Sequence, residues 1–186
     1  MKETNTTTSA TRKKRAAAII ARLKKEFPST KTFLDHTTPF QLLVATILSA
    51  QCTDRKVNEV TKPLFKKYKT AEDFARARAG ELEQEIYQTG FFRNKTKNII
   101  AAAKRIGEAY GGRVPETMEE LITLPGVARK TANIVLSNAF NKAAGIAVDV
   151  HVKRLAVRLG LSRETNPDKI EKDLMALVPK KDWIDT

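Results

Sequence analysis

Leu121-Ile122-Thr123-Leu124-Pro125-Gly126-Val127-Ala128-Arg129-Lys130-Thr131-Ala132 is the stretch whose reading decides the fold. A short helix runs into Leu124-Pro125-Gly126-Val127, a tight turn, and a second helix begins at once at Arg129. Gly126 supplies a backbone freedom that a side chain would remove. At the start of the second helix the first N–H groups lack intrahelical partners and the dipole end is positive. Such an end can hold a phosphate without reading any base. By chemistry alone, a Pro-Gly corner between helices is common and reads better as a plain structural turn.

Helical periodicity extends in both directions from this corner, and no alternating strand pattern appears. Arg12, Lys13, Lys14 and Arg15 open a basic amphipathic helix that ends near Pro28, after a polar, Thr-rich tail over 1–10. The run from Phe40 to Gln51 is apolar nearly all round, as in a helix buried at the centre of a domain. Thr53 or Asp54 caps a helix over 55–68, and Thr70 with Asp73 forms a capping box for a short helix through Arg78. Further helices are expected over 80–88, 92–110, 116–123, 129–140, 150–159 and 166–177. Gly111-Gly112 caps the longest of these, and Pro115 and Pro167 fall at or near N1 positions. The fold class is all-α.

The chain has 186 residues, 34 Lys+Arg, 21 Asp+Glu and a formal charge of +13. An excess of that size points to a polyanion, because neutralised phosphates release condensed counterions, with a solubility surface or an acidic protein partner as the alternative; charge does not separate DNA, RNA and anionic membrane. No apolar run reaches the roughly 20 residues that span a bilayer, and Met1 to Ala10 lacks the apolar core of a signal peptide. The single cysteine, Cys52, excludes an internal disulfide and a four-cysteine metal or cluster site. An intracellular protein without a membrane partner is expected.

Leu124-Pro125-Gly126-Val127 with Arg129-Lys130-Thr131-Ala132, followed by Val148-Asp149-Val150-His151-Val152, resembles the endonuclease III branch of the helix-hairpin-helix DNA glycosylase superfamily. The resemblance runs from about residue 16 to the end, and includes Leu48-Ser49-Ala50-Gln51-Cys52-Thr53-Asp54 and Gly90-Phe91-Phe92-Arg93-Asn94-Lys95. It implies base-excision repair, by a cytoplasmic, nucleoid-associated monomer, of double-stranded DNA carrying a damaged base or an abasic site. It also implies two helical lobes with a DNA cleft between them: 32–142, and 11–31 with 143–186.

The resemblance makes Lys130 the nucleophile and Asp149 its carboxylate partner. A flipped-out nucleotide exposes its anomeric carbon, a neutral amine attacks there, the base leaves and a Schiff base remains. β-Elimination then cuts the strand 3′ to the lesion. A helix N-terminus and nearby Arg129 would both disfavour the ammonium form of Lys130, whereas Asp149 would favour it. Asp149 can also be the N-cap of the helix from Val150. Gln51 corresponds to the polar wedge that fills the vacated stack, and Phe91 to a second inserted position, usually a smaller aliphatic residue. Arg93, Lys95, Lys97, Lys153 and Arg154 suit phosphate contacts, and equally a solvated helix face. Leu124, Gly126, Ala128, Arg129 and Thr131 form the DNA-facing hairpin, and His151 holds a position that often faces DNA. Asp54 suits a helix cap or a pocket role, and Trp183 suits a packing anchor.

Three departures from the family stand out. Ala128 replaces the usual second glycine of the hairpin; it is strained by roughly 1 kcal/mol if that residue needs a positive φ, and favourable if it is helical. Val150 replaces a common threonine. Family members usually continue into a four-cysteine loop that binds a [4Fe-4S] cluster, whereas this chain stops at Thr186 with only Cys52. No cofactor is expected here, and the chain is either a fragment or a cluster-free variant, less stable and weaker on DNA. No metal is expected in the chemistry, although hairpin carbonyls could hold a monovalent ion. Two competing readings stand beside the bifunctional enzyme: a glycosylase-only relative acting on mispaired adenine, thymine or uracil, and a non-catalytic helix-hairpin-helix module.

Overall fold

The computed structural model describes residues 9–28 and 32–184, and among these it contains helices and no strands. The chain divides into two compact units, one of Lys31–Lys142 and one of Met1–Thr30 with Ala143–Thr186.

The continuous unit is built around α2, Pro39–Leu48, in which eight of ten residues are buried. Thr38 caps it through a bond from the Gln41 N–H. The helix stops at Leu48, three residues short of the expected Gln51, because Gln51 takes a left-handed backbone with φ 54°. α3, Asp54–Lys67, is capped by Thr53, so Asp54 is its first residue and not its cap. α4, Ala71–Ala75, carries the Thr70–Asp73 capping box but ends before Arg78. α5, Ala79–Ile86, passes through a 3-10 turn, Tyr87–Thr89, into α6, Phe92–Tyr110, which closes at left-handed Gly111. The buried stripe of α6 is Lys95, Ile99, Ala102, Ala103 and Ile106, and it packs chiefly on α4 and α5.

α7 is short, Met118–Leu121, and Thr117 is its N-cap. Pro115 therefore lies outside the helix and not near N1, because the Thr117 hydroxyl accepts from the Glu120 N–H and fixes the start later. α8, Arg129–Phe140, packs its Ala132, Val135 and Leu136 face on α2. Burial of these leucine-, valine- and isoleucine-rich faces is the main favourable term, about 1.5–3 kcal/mol for each large side chain.

The second unit contains α1, Ser9–Glu26, α9, Val150–Arg158, and α10, Pro167–Leu177. The tail expected over 1–10 falls outside the described residues except for Ser9 and Ala10, which are already helical. Ala16 and Ile20 of α1 join Ile146, Val148, Ala156, Ile170 and Leu174 in the core. Pro167 occupies the first turn of α10, with Asn166 as the cap. Trp183 packs on this core and donates from Nε1 to the Val178 carbonyl at 2.9 Å, while Lys24 pairs with Asp182 at 2.7 Å. Leu23, Leu155 and Leu159 stay partly exposed along an apolar groove that Ile19 and Ala156 also line.

Candidate functional site

The hairpin in the continuous unit is a short, bonded corner. The Leu124 N–H donates to the Leu121 carbonyl at 3.0 Å, and the Val127 N–H donates to the Leu124 carbonyl at 3.1 Å. Leu124 and Val127 point inward, at 2% and 6% exposure, so the turn is anchored by its apolar residues. Gly126 has φ +78°, and a Cβ built there would lie 2.8 Å from Asn98 Cβ. Both the backbone and the close approach of α6 therefore demand glycine.

Ala128 is the N-cap of α8 at φ −92° and ψ 170°. This extended backbone is open to any residue, so Ala128 is neither strained nor helical. It caps nothing with its side chain, which leaves the first turn of α8 without a side-chain acceptor from that position. Lys130 is the second residue of α8, is exposed, and makes no ion pair among the described residues. Arg129 and Thr131 flank it, each half-buried.

Gln51 and Phe91 share an unusual backbone. Among the described residues, positive φ occurs outside glycine only at Gln51, Phe91 and Asn141. Both side chains face solvent, and Phe91 is 67% exposed. Arg93 is exposed and stacks its guanidinium on Phe92, 5.0 Å from the ring centroid. Lys97 is exposed as well.

Lys95 departs from its expected phosphate contact. It is 5% exposed, and its Nζ donates to the Leu48 carbonyl at 2.8 Å and the Thr89 carbonyl at 2.7 Å. With two short bonds to backbone and no exposed ammonium, it faces the interior. Burial lowers its pKa from the ordinary lysine value, and the nearby Cys52 thiol opposes the shift.

In the second unit, Asp149 is the N-cap of α9. Its Oδ1 accepts from the His151 N–H at 2.9 Å and the Val152 N–H at 2.8 Å. Its Oδ2 has no hydrogen bond among the described residues. His151 and Val150 are exposed, and the His151 Nδ1 lies 3.4 Å from the Arg154 guanidinium. Arg154 is exposed and Lys153 half-buried. Sequence reasoning missed Asn98 beneath Gly126 and the buried bonds of Lys95; for Lys95 the signal lay in its place on the apolar stripe of α6.

Residues 44–180 match the model of the HhH-GPD superfamily base excision DNA repair proteins. The endonuclease III of Synechocystis is 56% identical over 174 residues, covering 94% of this chain and 80% of the relative. This chain belongs to the endonuclease III family. The Bacillus subtilis endonuclease III is 52% identical over 158 residues, 84% of this chain and 72% of that protein. Two solved structures, a non-covalent endonuclease III–DNA complex and a trapped endonuclease III–DNA covalent intermediate, each superpose with a TM-score of 0.88 at 44% identity. Each match covers 92% of this chain, with 80% and 81% of the respective structures. A thermostable thymine-DNA glycosylase shares the fold at 22% identity and a TM-score of 0.79. Endonuclease III membership makes the chain a base-excision-repair DNA glycosylase with AP lyase activity.

The [4Fe-4S] cluster that the family resemblance implies does not fit the residues of this chain. Four thiolates are needed, and Cys52, half-buried in the continuous unit near Lys95, is the one cysteine. Among the described residues no group of three His, Cys, Asp or Glu side chains is placed to hold a metal ion. Among the described residues no helix is long and apolar enough to cross a membrane.

Proposed function

We propose that this chain removes oxidised pyrimidines from double-stranded DNA through a covalent imine on Lys130. The observation that carries the reading is Lys130 itself, an exposed amine in the first turn of α8 beside a glycine-demanding hairpin. The hairpin grips the phosphate backbone through its exposed turn and the positive end of α8. Lys130 Nζ attacks C1′ of an extruded nucleotide, the C1′–N bond breaks, and the base leaves with a proton. The amine then loses its own proton as the sugar ring opens to the imine. Loss of a C2′ proton breaks the C3′–O bond and releases the 3′ fragment.

Asp149 is the carboxylate of the reaction. Its capping bonds use Oδ1 and orient the side chain, and Oδ2 remains for a proton or for positive charge on the sugar. Gln51 and Phe91 displace the base; their exposed side chains on left-handed backbone are the support for that assignment. Arg93 contacts phosphate, and His151 contacts DNA from the first turn of α9. The protein acts as a monomer in the cytoplasm, on DNA.

Borohydride trapping on duplex DNA with one oxidised pyrimidine tests this. A covalent adduct that disappears in Lys130→Ala is expected. Base release without an adduct would point to a glycosylase-only enzyme, and binding without release to a non-catalytic module; either result overturns the mechanism.

A further inference from the structure

A buried lysine needs a reason. Removing an ammonium from water is unfavourable unless acceptors replace the hydration. Lys95 meets that need with two backbone carbonyls, and the identity of those carbonyls is informative. Leu48 is the last residue of α2, and Thr89 is the last residue of the 3-10 turn after α5. Both carbonyls belong to helical C-termini, where acceptors are orphaned and the dipole end is negative. One ammonium therefore satisfies two ends that arrive from different parts of the chain.

Each of those ends leads directly into an exposed, left-handed residue. Gln51 follows Leu48 by three positions, and Phe91 follows Thr89 by two. Of the three non-glycine residues with positive φ among the described residues, Gln51 and Phe91 are the two that Lys95 brackets. The backbone of Lys95 adds a third tie, because its N–H donates to the Phe91 carbonyl at 3.1 Å. Left-handed backbone persists at residues with a Cβ only where the surroundings over-determine it. Here a common anchor behind both loops supplies that constraint.

We infer that Lys95 is a positioning residue that locks the Gln51 and Phe91 loops into one register, so that the two side chains enter the DNA stack as a single device. This rests on the reading of Gln51 and Phe91 as base-displacing residues. It separates two steps of the reaction: displacement of a paired base needs the register, whereas incision at a site with no base left to displace needs it much less.

The test uses the whole chain and duplexes with 2-aminopurine beside the damaged base, whose fluorescence rises as the stack opens. Lys95→Met is expected to slow both the fluorescence rise and single-turnover base release by about tenfold to a hundredfold, the scale of a displaced positioning group. Incision at a pre-formed abasic site should fall by no more than about threefold. Lys95→Gln keeps N–H donors without the charge, and should show the same split at smaller amplitude if Lys95→Met does not fold. Ile106→Ala, on the same buried stripe, controls for general loss of stability.

Equal losses in both steps, or the same split in Ile106→Ala, would make Lys95 merely structural and overturn the inference. Normal opening in Lys95→Met, with opening impaired in Gln51→Ala and Phe91→Ala, overturns the inference alone. Normal opening in Gln51→Ala and Phe91→Ala removes the base-displacing reading and the inference with it.

Discussion

Gly126→Ala should be the most disruptive single-methyl change in the hairpin. Left-handed backbone costs a Cβ-bearing residue about 1–2 kcal/mol. The new Cβ would also lie 2.8 Å from Asn98 Cβ and 3.0 Å from Asn98 Cγ. A contact to Cβ is not relieved by a change of rotamer, so the hairpin or α6 must move, and such overpacking adds about 1–3 kcal/mol. Alanine recovers roughly 0.5–1 kcal/mol by restricting the unfolded chain. The net loss is then about 1–4.5 kcal/mol, or about 2–18 °C in Tm for a protein of this length. Calorimetry on Gly126→Ala, Asn98→Gly and the double variant separates the two contributions. Asn98→Gly alone costs about 0.3 kcal/mol of helix propensity, but in the double variant it removes the crowding. A favourable coupling of about 1–3 kcal/mol is expected. A Gly126→Ala loss below about 1 kcal/mol, or strict additivity with Asn98→Gly, would refute the reasoning.

Asp149→Asn should melt within about 0.5 kcal/mol of the parent, because asparagine caps as well as aspartate, while single-turnover base release falls sharply. Asp149→Ala should lose both, with about 0.5–2 kcal/mol of stability gone; equal activity in the asparagine variant would remove the charge from the mechanism. Gln51→Gly and Phe91→Gly should each leave stability unchanged or raise it by up to about 1 kcal/mol, since glycine releases left-handed strain. A clear fall in the Tm of either would show that the backbone there is unstrained. Asp73 Oδ2 accepts from the Lys69 N–H at 2.8 Å and the Thr70 N–H at 2.9 Å, and these bonds hold its carboxyl below the usual carboxylate range. Its contribution is then complete above the unfolded-state pKa of about 3.9, and is lost as pH falls through the lower folded-state value. Thermal melts should show the gap between Asp73→Asn and the parent narrowing from about pH 4 downward; a gap independent of pH contradicts the bonding.

Capping chemistry made three helix starts legible, because Thr and Asp caps reveal themselves by side chain alone. Thr53, Thr70 with Asp73, and Asp149 all act as caps, and Asn166, expected as the first helical residue, is a cap as well. Pro115 misled because a proline near a helix start is weaker evidence than a threonine whose hydroxyl can reach the N3 amide, as Thr117 does. The left-handed conformations of Gln51 and Phe91 had no local signature, since neither glutamine nor phenylalanine favours positive φ. Their backbone is set by tertiary constraint. Lys95 was half legible: it shares a stripe with Ile99, Ala102, Ala103 and Ile106, all buried. Its charge argued for the surface, and only the carbonyls of Leu48 and Thr89 explain why periodicity won. Asn98 under Gly126 is a long-range approach that spacing along the chain does not encode.

The cap of α9 turns the carboxylate proposed for the reaction into something that can be watched without substrate. The amides of His151 and Val152 are protected from exchange only while Oδ1 of Asp149 accepts from them. Their hydrogen-exchange rates therefore report how often the carboxylate leaves its post, in resting enzyme and in any variant. Fraying of one helical turn and release of the carboxylate from its capping position are the same event. On the proposed role of Asp149, temperature or a distant mutation that loosens α9 would reduce turnover with every reacting group still present, and these two amides would register the change.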